Sequence, residues 1–417
     1  LKSKINSFFP MPKYEIKTYS LLKELMQEYF TSLGSGEKKI AWCTSVGPAE
    51  LLRSFGFEVY FPENHGALMG ATRTATEYIP VAAKYGFSNQ ICSYTTADIG
   101  AFISNETPLK KHYGLNGIPK PDLLVYNTNQ CREVQDWFTF YANHFKVPIA
   151  GIHPPRYLDE VTQNNIKQVV DEFKRIIPVC EQASGSKFDI DRFRETLKLS
   201  REATVLWQKI LKTSASSTPP ISFFDGTIHM GPIVVMRGTP QAKKYYEKLY
   251  EELKSNQEQG IGFITDAKCR IFWDGMPIWG KLRMLSDLFK HNNAAVVAST
   301  YCNSWIFDDF DENNPFESSA LAYTKIFINR SEKAKIEMLK QWVKEYNIDG
   351  VIFHDSKTCF NNANTRFGMP GRFKEQTGTP VLVIEGDLCD LRFFSEGQSI
   401  SKIETFVEQL EHFNLVK

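Results

Sequence analysis

Apolar residues in this chain fall into short dense runs that stop at polar turns, separated by longer stretches in which they recur every three or four positions. The runs lie at Ile40–Cys43, Glu58–Phe61, Leu123–Tyr126, Pro148–Ile152, Arg270–Trp273, Ala294–Thr300, Val351–Asp355 and Val381–Gly386. Short β-branched runs with helical patterns between them predict strands buried on both faces of a parallel sheet. The periodic stretches predict helices at Tyr14–Leu33, at 72–86, across most of 161–213, at Pro240–Lys254 and at Ile400–His412, with Pro48 in the first turn of another. Thr213–Pro220, reading TSASSTPP, is the clearest linker. The expected fold is α/β, with two doubly wound parallel-sheet domains, 37–215 with a helical extension and 216–417, preceded by an N-terminal helical arm at 1–36.

Five of these runs end at or near a cysteine: IAWC at Cys43, LLVYNTNQC at Cys131, AAVVASTYC at Cys302, VIFHDSKTC at Cys359 and VLVIEGDLC at Cys389. The carboxyl edge of an open α/β sheet is where ligands bind, so cysteines gathered there point to a shared ligand. Cys92, in QICSYTTADIGAF, joins them because Ser93, Thr95 and Thr96 offer helix caps, and a helix N-terminus stabilises a thiolate. Cys180, inside a helical stretch, and Cys269, at the opposite end of its strand, read as structural. Taken singly, any one of the eight is also explained as a packing residue.

Composition narrows the choice of ligand. The chain has 417 residues, 42% hydrophobic and 23% charged, enough for two cored domains, and its net charge of +1 gives no reason to expect nucleic acid or an anionic membrane. No apolar run approaches the ~18 residues of a membrane span, and the first residues lack the apolar core of a secretory signal, so the expected location is cytoplasmic. In a reducing compartment, cysteines favour metal or redox chemistry over a disulfide framework. Six converging thiolates exceed the needs of one tetrahedral zinc and suit iron–sulfur cubanes. Spacing alone leaves open one cluster with four cysteines or two with three each. No phosphate-binding G-x-x-x-x-G-K-[ST] loop and no G-x-G-x-x-G fingerprint occurs, so neither ATP nor a dinucleotide is expected on this chain. His229 in GTIHMGP and His354 in VIFHDSKTC, each expected in a turn near the crevice, are the candidate proton donors, and His65 and Glu63 lie in a further expected turn, PENHGALMG.

AWCTSVGPAELL, ICSYTTADIGAF, NTNQCREVQDWF, SGSKFDIDRF, HDSKTC and GDLCDLRFFSEGQ together resemble the 2-hydroxyacyl-CoA dehydratase and benzoyl-CoA reductase superfamily over nearly the whole chain. The resemblance implies that Cys92, Cys131 and Cys359 hold a [4Fe–4S] cluster between the domains. Those enzymes typically have no cysteine matching Cys43, Cys302 and Cys389, and this departure is similar to the double-cubane cluster proteins, whose two cubanes share a sulfide as [8Fe–9S]. The resemblance further implies an ATP-dependent, anaerobic reductase component for a small-molecule substrate. Such a component receives low-potential electrons from a separate [4Fe–4S] ATPase activator and forms a homodimer. The alternatives are an acyl-CoA dehydratase or reductase subunit with a single [4Fe–4S] cluster, and a noncatalytic scaffold or electron carrier.

Overall fold

The computed structural model describes residues 14–416, so the start of the arm, residues 1–13, lies outside the described residues. All the predicted strands are present, as β1 (Ile40–Cys43), β2 (Glu58–Tyr60), β3 (Leu123–Asn127), β4 (Ile149–Ile152), β5 (Cys269–Asp274), β6 (Ala294–Ser299), β7 (Gly350–Ser356) and β8 (Val381–Gly386). They form two four-stranded sheets, ordered β2-β1-β3-β4 and β6-β5-β7-β8, with every neighbouring pair parallel. The two orders are the same path drawn twice. In each sheet the chain begins at an inner position, adds a strand on one side, then crosses over to continue on the other. Each sheet therefore has a switch point between its first and third strands, where the outgoing loops diverge and leave a crevice. β1, β3 and β6 are buried at every residue, as helices on both faces of a parallel sheet require.

The arm helix, Tyr19–Gly34, buries Leu22, Leu25, Tyr29, Phe30 and Leu33, a stripe at helical spacing, and packs on both halves of the chain, on β2 and the helix Pro108–Tyr113 of the first and on the helices Gly231–Val235 and Pro240–Glu258 of the second. The long helices Gln163–Ser184 and Ile190–Thr213 begin at caps the sequence supplies: Thr162 forms a capping box with Asn165, and Asp189 accepts from the amides of Asp191 and Arg192. Gly185, at φ 77°, ends the first of them in the left-handed conformation glycine tolerates. The linker after Thr213 is held in place. Arg270 of β5 donates to the carbonyls of Ser214 (2.6 Å) and Ser216 (3.0 Å). One continuous core runs through both halves and includes Trp42, Trp207, Trp273 and Leu410, while a smaller one around Phe272, Leu339 and Phe353 lies against the second sheet.

Three expected turns are regular structure. PENHGALMG lies in a helix, Pro62–Ala71, with Pro62 in its first turn. Its glycines serve close packing: a Cβ on Gly66 would meet Tyr94 at 2.8 Å, and one on Gly70 would meet Cys389 Sγ at 2.7 Å. His229 is the last residue of a short helix, Phe223–His229, started by a capping box between Ser222 and Asp225. His354 lies within β7. Among the described residues no helix is long and apolar enough to cross a membrane.

Candidate functional site

Cys43 is the last residue of β1, Cys131 follows β3 by four residues, and Cys302, Cys359 and Cys389 follow β6, β7 and β8 by three each. Cys92 occupies the position just before the helix Ser93–Ser104. The carboxyl edges that carry them face each other, because polar contacts join the two halves there. Ser93 N donates to Thr358 Oγ1 (3.0 Å), Arg156 Nη2 to Asn361 Oδ1 (2.9 Å), Asn129 Nδ2 to the Tyr323 carbonyl (2.7 Å) and the Cys389 thiol to the Gly66 carbonyl (3.2 Å).

Between these edges is a cavity of about 610 Å³. Cys92, Cys131 and Cys359 line it, and its remaining wall changes character along its length. Near the cysteines it carries Glu63, Tyr94, Gln130 and Tyr301; elsewhere it is lined by Leu22, Met26 and Phe30 of the arm helix with Met230 and Val234. The three lining thiols share a local design. Cys131 Sγ accepts from the Glu133 amide at 3.2 Å, and the Thr95 and Asn362 amides stand in the same relation to Cys92 and Cys359. Main-chain N–H groups at the start of a helix or turn favour a thiolate. Burial acts the other way and dominates, pushing all three thiols up, Cys131 to about 11, with mutual repulsion between the sulfurs contributing at Cys92 and Cys359.

Cys43, Cys302 and Cys389 lie behind the cavity wall, buried to 0%, 2% and 1% exposure. Burial pushes these thiols up as well, Cys302 to about 11. Their partners are chiefly side chains. Arg237 draws Cys43 back down, the hydroxyls of Ser299 and Thr227 do so for Cys302, and Cys389 is relieved by the Gly70 amide and the Ser93 hydroxyl.

Two carboxylates organise this region: Asp387, which was not among the candidate residues, and Glu63, which was named only beside His65 in an expected turn. Asp387, fully buried, accepts from Ser93 Oγ, from Thr358 N (2.8 Å) and Oγ1 (2.7 Å), and from the amides of Cys389 and Asp390 (3.1 Å each). It thereby ties together the loops of Cys92, Cys359 and Cys389. The signal in the sequence was an aspartate two residues before a cysteine at a strand exit, in GDLC. Glu63 faces the cavity and accepts from Ser45 N and Gln130 Nε2, which joins the loop after Cys43 to the loop before Cys131. Burial pushes its carboxyl above the usual range.

The histidines sit elsewhere. His229 is buried with Nδ1 on the Tyr245 hydroxyl, and burial depresses it to about 4; His354 is buried with Nδ1 on the Met276 carbonyl and is depressed for the same reason. Neither lines the cavity. His65, expected in a loop, is buried in its helix between Asp98 (2.6 Å) and Thr107 (2.8 Å). Cys131 stands two residues ahead of the helix Glu133–Phe145, and Ser93 spends its hydroxyl on Asp387 rather than on a cap. Cys180 lies inside the helix Gln163–Ser184 and Cys269 at the amino end of β5, both remote in the chain path from the carboxyl edges.

Among the described residues no three His, Cys, Asp or Glu side chains converge closely enough for one metal ion. The donors are thiols spread around a cavity, a set suited to a group of several irons, whose ligands stand further apart than those of a single ion. Each would lose its proton on ligation.

Three curated relatives each match 90% or more of the chain. The (R)-2-hydroxyisocaproyl-CoA dehydratase alpha subunit of Clostridioides difficile is 28% identical over 403 residues, covering 94% of this chain and 95% of that one. A benzoyl-CoA reductase subunit of Thauera aromatica is 30% identical over 394 residues, 90% of each chain. The (R)-2-hydroxyglutaryl-CoA dehydratase alpha subunit of Acidaminococcus fermentans is 22% identical over 479 residues, 96% of this chain and 98% of that one. The family described as 2-hydroxyglutaryl-CoA dehydratase, D-component, matches residues 44–410, and the chain belongs to that family, as an enzyme component of the dehydratase and reductase kind.

Proposed function

We propose that this chain is the reductase component of a two-component, ATP-dependent system, in which Cys92, Cys131 and Cys359 hold one cubane, Cys43, Cys302 and Cys389 a second, and the two are joined as an [8Fe–9S] group. The observation that carries this is the division of six thiols into three partly exposed ones that line a cavity and three buried ones just behind its wall, five of them at or just past strand ends and Cys92 at a helix start. When bound, such a group would supply low-potential electrons one at a time for reduction of the substrate. The chain's own residues do the rest. Asp387 and Glu63 hold the cysteine loops in register, and Leu22, Met26 and Phe30 of the arm helix give the cavity an apolar face. Glu63 faces the cavity with its carboxyl pushed toward the protonated form, the state that donates. His229 and His354, off the cavity wall and held toward the neutral form by burial, act as relays, each taking up a proton before passing one on. A separate [4Fe–4S] ATPase activator delivers the electrons, the substrate is a small molecule, and the working form is a homodimer.

A single-cluster acyl-CoA subunit is the second assignment. It is favoured by the names of the relatives, which are CoA dehydratase and reductase subunits, and by the apolar end of the cavity. An iron and sulfide count on anaerobically purified protein separates the two. About eight irons per chain are expected for the double cubane, and a reproducible value near four in fully loaded protein supports the single cluster.

A further inference from the structure

Arg237 is the most deeply enclosed cation of the described residues near the cysteines, with 0% exposure. Its guanidinium donates to the carbonyls of Gly47 (2.7 Å) and Val234 (2.7 Å), lies 3.1 Å from Glu50 Oε1 and is framed by the rings of Phe61 (5.5 Å) and Phe307 (5.8 Å). Glu50, also buried, accepts from Ser200 and from the Tyr323 hydroxyl. Such a pair is a poor way to gain stability, because stripping water from both charges costs about as much as their attraction returns, and apolar residues of the same volume serve as well or better. Its position offers another use. Gly47, whose carbonyl Arg237 holds, belongs to the loop folded over Cys43, and a Cβ at Gly47 would lie 2.7 Å from Cys43 Sγ. Arg237 and Glu50 thus place one positive and one negative charge against the loop that covers Cys43.

We propose that Arg237 and Glu50 act as positioning residues for electron transfer, together setting the reduction potential of the metal group held through Cys43. This rests on the assignment of Cys43 as a ligand. Each electron accepted makes that group one unit more negative while no bond in the protein is made or broken, so a fixed positive charge nearby favours the reduced state and a fixed negative charge opposes it. In a buried, weakly screening surrounding these influences reach well beyond contact distance.

The test is a potentiometric titration of anaerobically purified holoprotein, read by the visible and electron paramagnetic resonance signals of the metal group, with iron counted on every sample. Arg237→Met should lower the potential, Glu50→Gln should raise it, and Arg237→Lys, which keeps the charge, should stay near the wild type. Packing damage alone has no reason to move the first two in opposite directions. Should Arg237→Met fail to fold, Glu50→Gln and Arg237→Lys still decide the matter through a rise and a null. Full iron with shifts of the same sign, or with none, overturns the proposal alone. A wild type of about four irons whose content is unchanged by Cys43→Ser overturns the ligand assignment, and the proposal with it.

Discussion

The two sets of three cysteines are built differently although both stand at the same sheet edges. Cys92, Cys131 and Cys359 line the cavity, and their sulfurs face main-chain amides at the starts of helices or turns. Cys43, Cys302 and Cys389 are sealed behind the wall and depend largely on side chains, namely Arg237, Ser299, Thr227 and Ser93. Main-chain amides come with the fold and survive substitution of almost any residue around them. Side-chain partners can be gained or lost one at a time. The first set is thus the kind of site a whole family can share, and the second is the kind an individual branch adds, in keeping with the resemblance that separates them.

Breaking the first set should have the largest effect. Cys359→Ser removes the thiol that lies among Cys92, Cys131 and the loop held by Asp387, and leaves that corner of the cavity without a sulfur donor. The expected outcome is folded protein with iron reduced to a small fraction and no activator-dependent reduction, checked by iron count beside far-ultraviolet circular dichroism. Iron near the wild-type level would remove Cys359 from the ligand set. Breaking the second set should cost about half as much metal. Cys302→Ala is expected to keep about four irons per chain, as one ordinary cubane, and to lose reduction of the small substrate. Full iron and full activity would make Cys302 a packing residue and end the double-cubane assignment.

The strands and the position of the cysteines were legible in the sequence because they follow from local patterns. A fully buried parallel strand must be an apolar run, and Cys131, Cys302, Cys359 and Cys389 are read as edge residues by counting from the ends of β3, β6, β7 and β8. The helix at Pro62–Ala71 was hidden because Gly66 and Gly70 look like turn residues, while their small size answers to Tyr94 and Cys389, distant in the chain. His354 was hidden in the same way. The expected strand, Val351–Asp355, already contained it, but the polar residues that follow drew it into the expected turn, whereas β7 continues to Ser356 because β8 pairs with it that far. Asp387 and Glu63 act through partners in the other half or in another loop, a relation no spacing rule contains.

Glu63 sharpens the comparison, since its two oxygens touch the loop of one cysteine from each set. Glu63→Gln keeps the shape and can keep both contacts, with the Gln130 amide turned over, but it has no acidic proton to give. Iron content should stay at the wild-type level while reduction slows by about 10²–10⁴, the range of a lost general acid. Loss of iron in parallel with rate would show that Glu63 serves only to hold the loops together. An unchanged rate would leave the histidines as the proton source.

The smallest effect is expected at the two cysteines outside both sets, and it tests whether position at the carboxyl edge is what distinguishes a ligand. Cys180 and Cys269 are as deeply buried as the second set, at 0% and 1% exposure, and burial pushes their thiols up to about 12 as it does those of the edge cysteines. Burial and thiol chemistry are therefore matched, and location differs. Cys180 packs in the core from the last turns of a helix, and Cys269 opens β5 at the end away from the cavity. Serine at either site puts a hydroxyl into apolar surroundings and should cost roughly 1–3 kcal/mol of stability, seen as a lower Tm, without changing iron content. If a folded Cys180→Ser or Cys269→Ser variant lost iron, the carboxyl-edge criterion would fail for this chain, and with it the division of the edge cysteines into two sets of three.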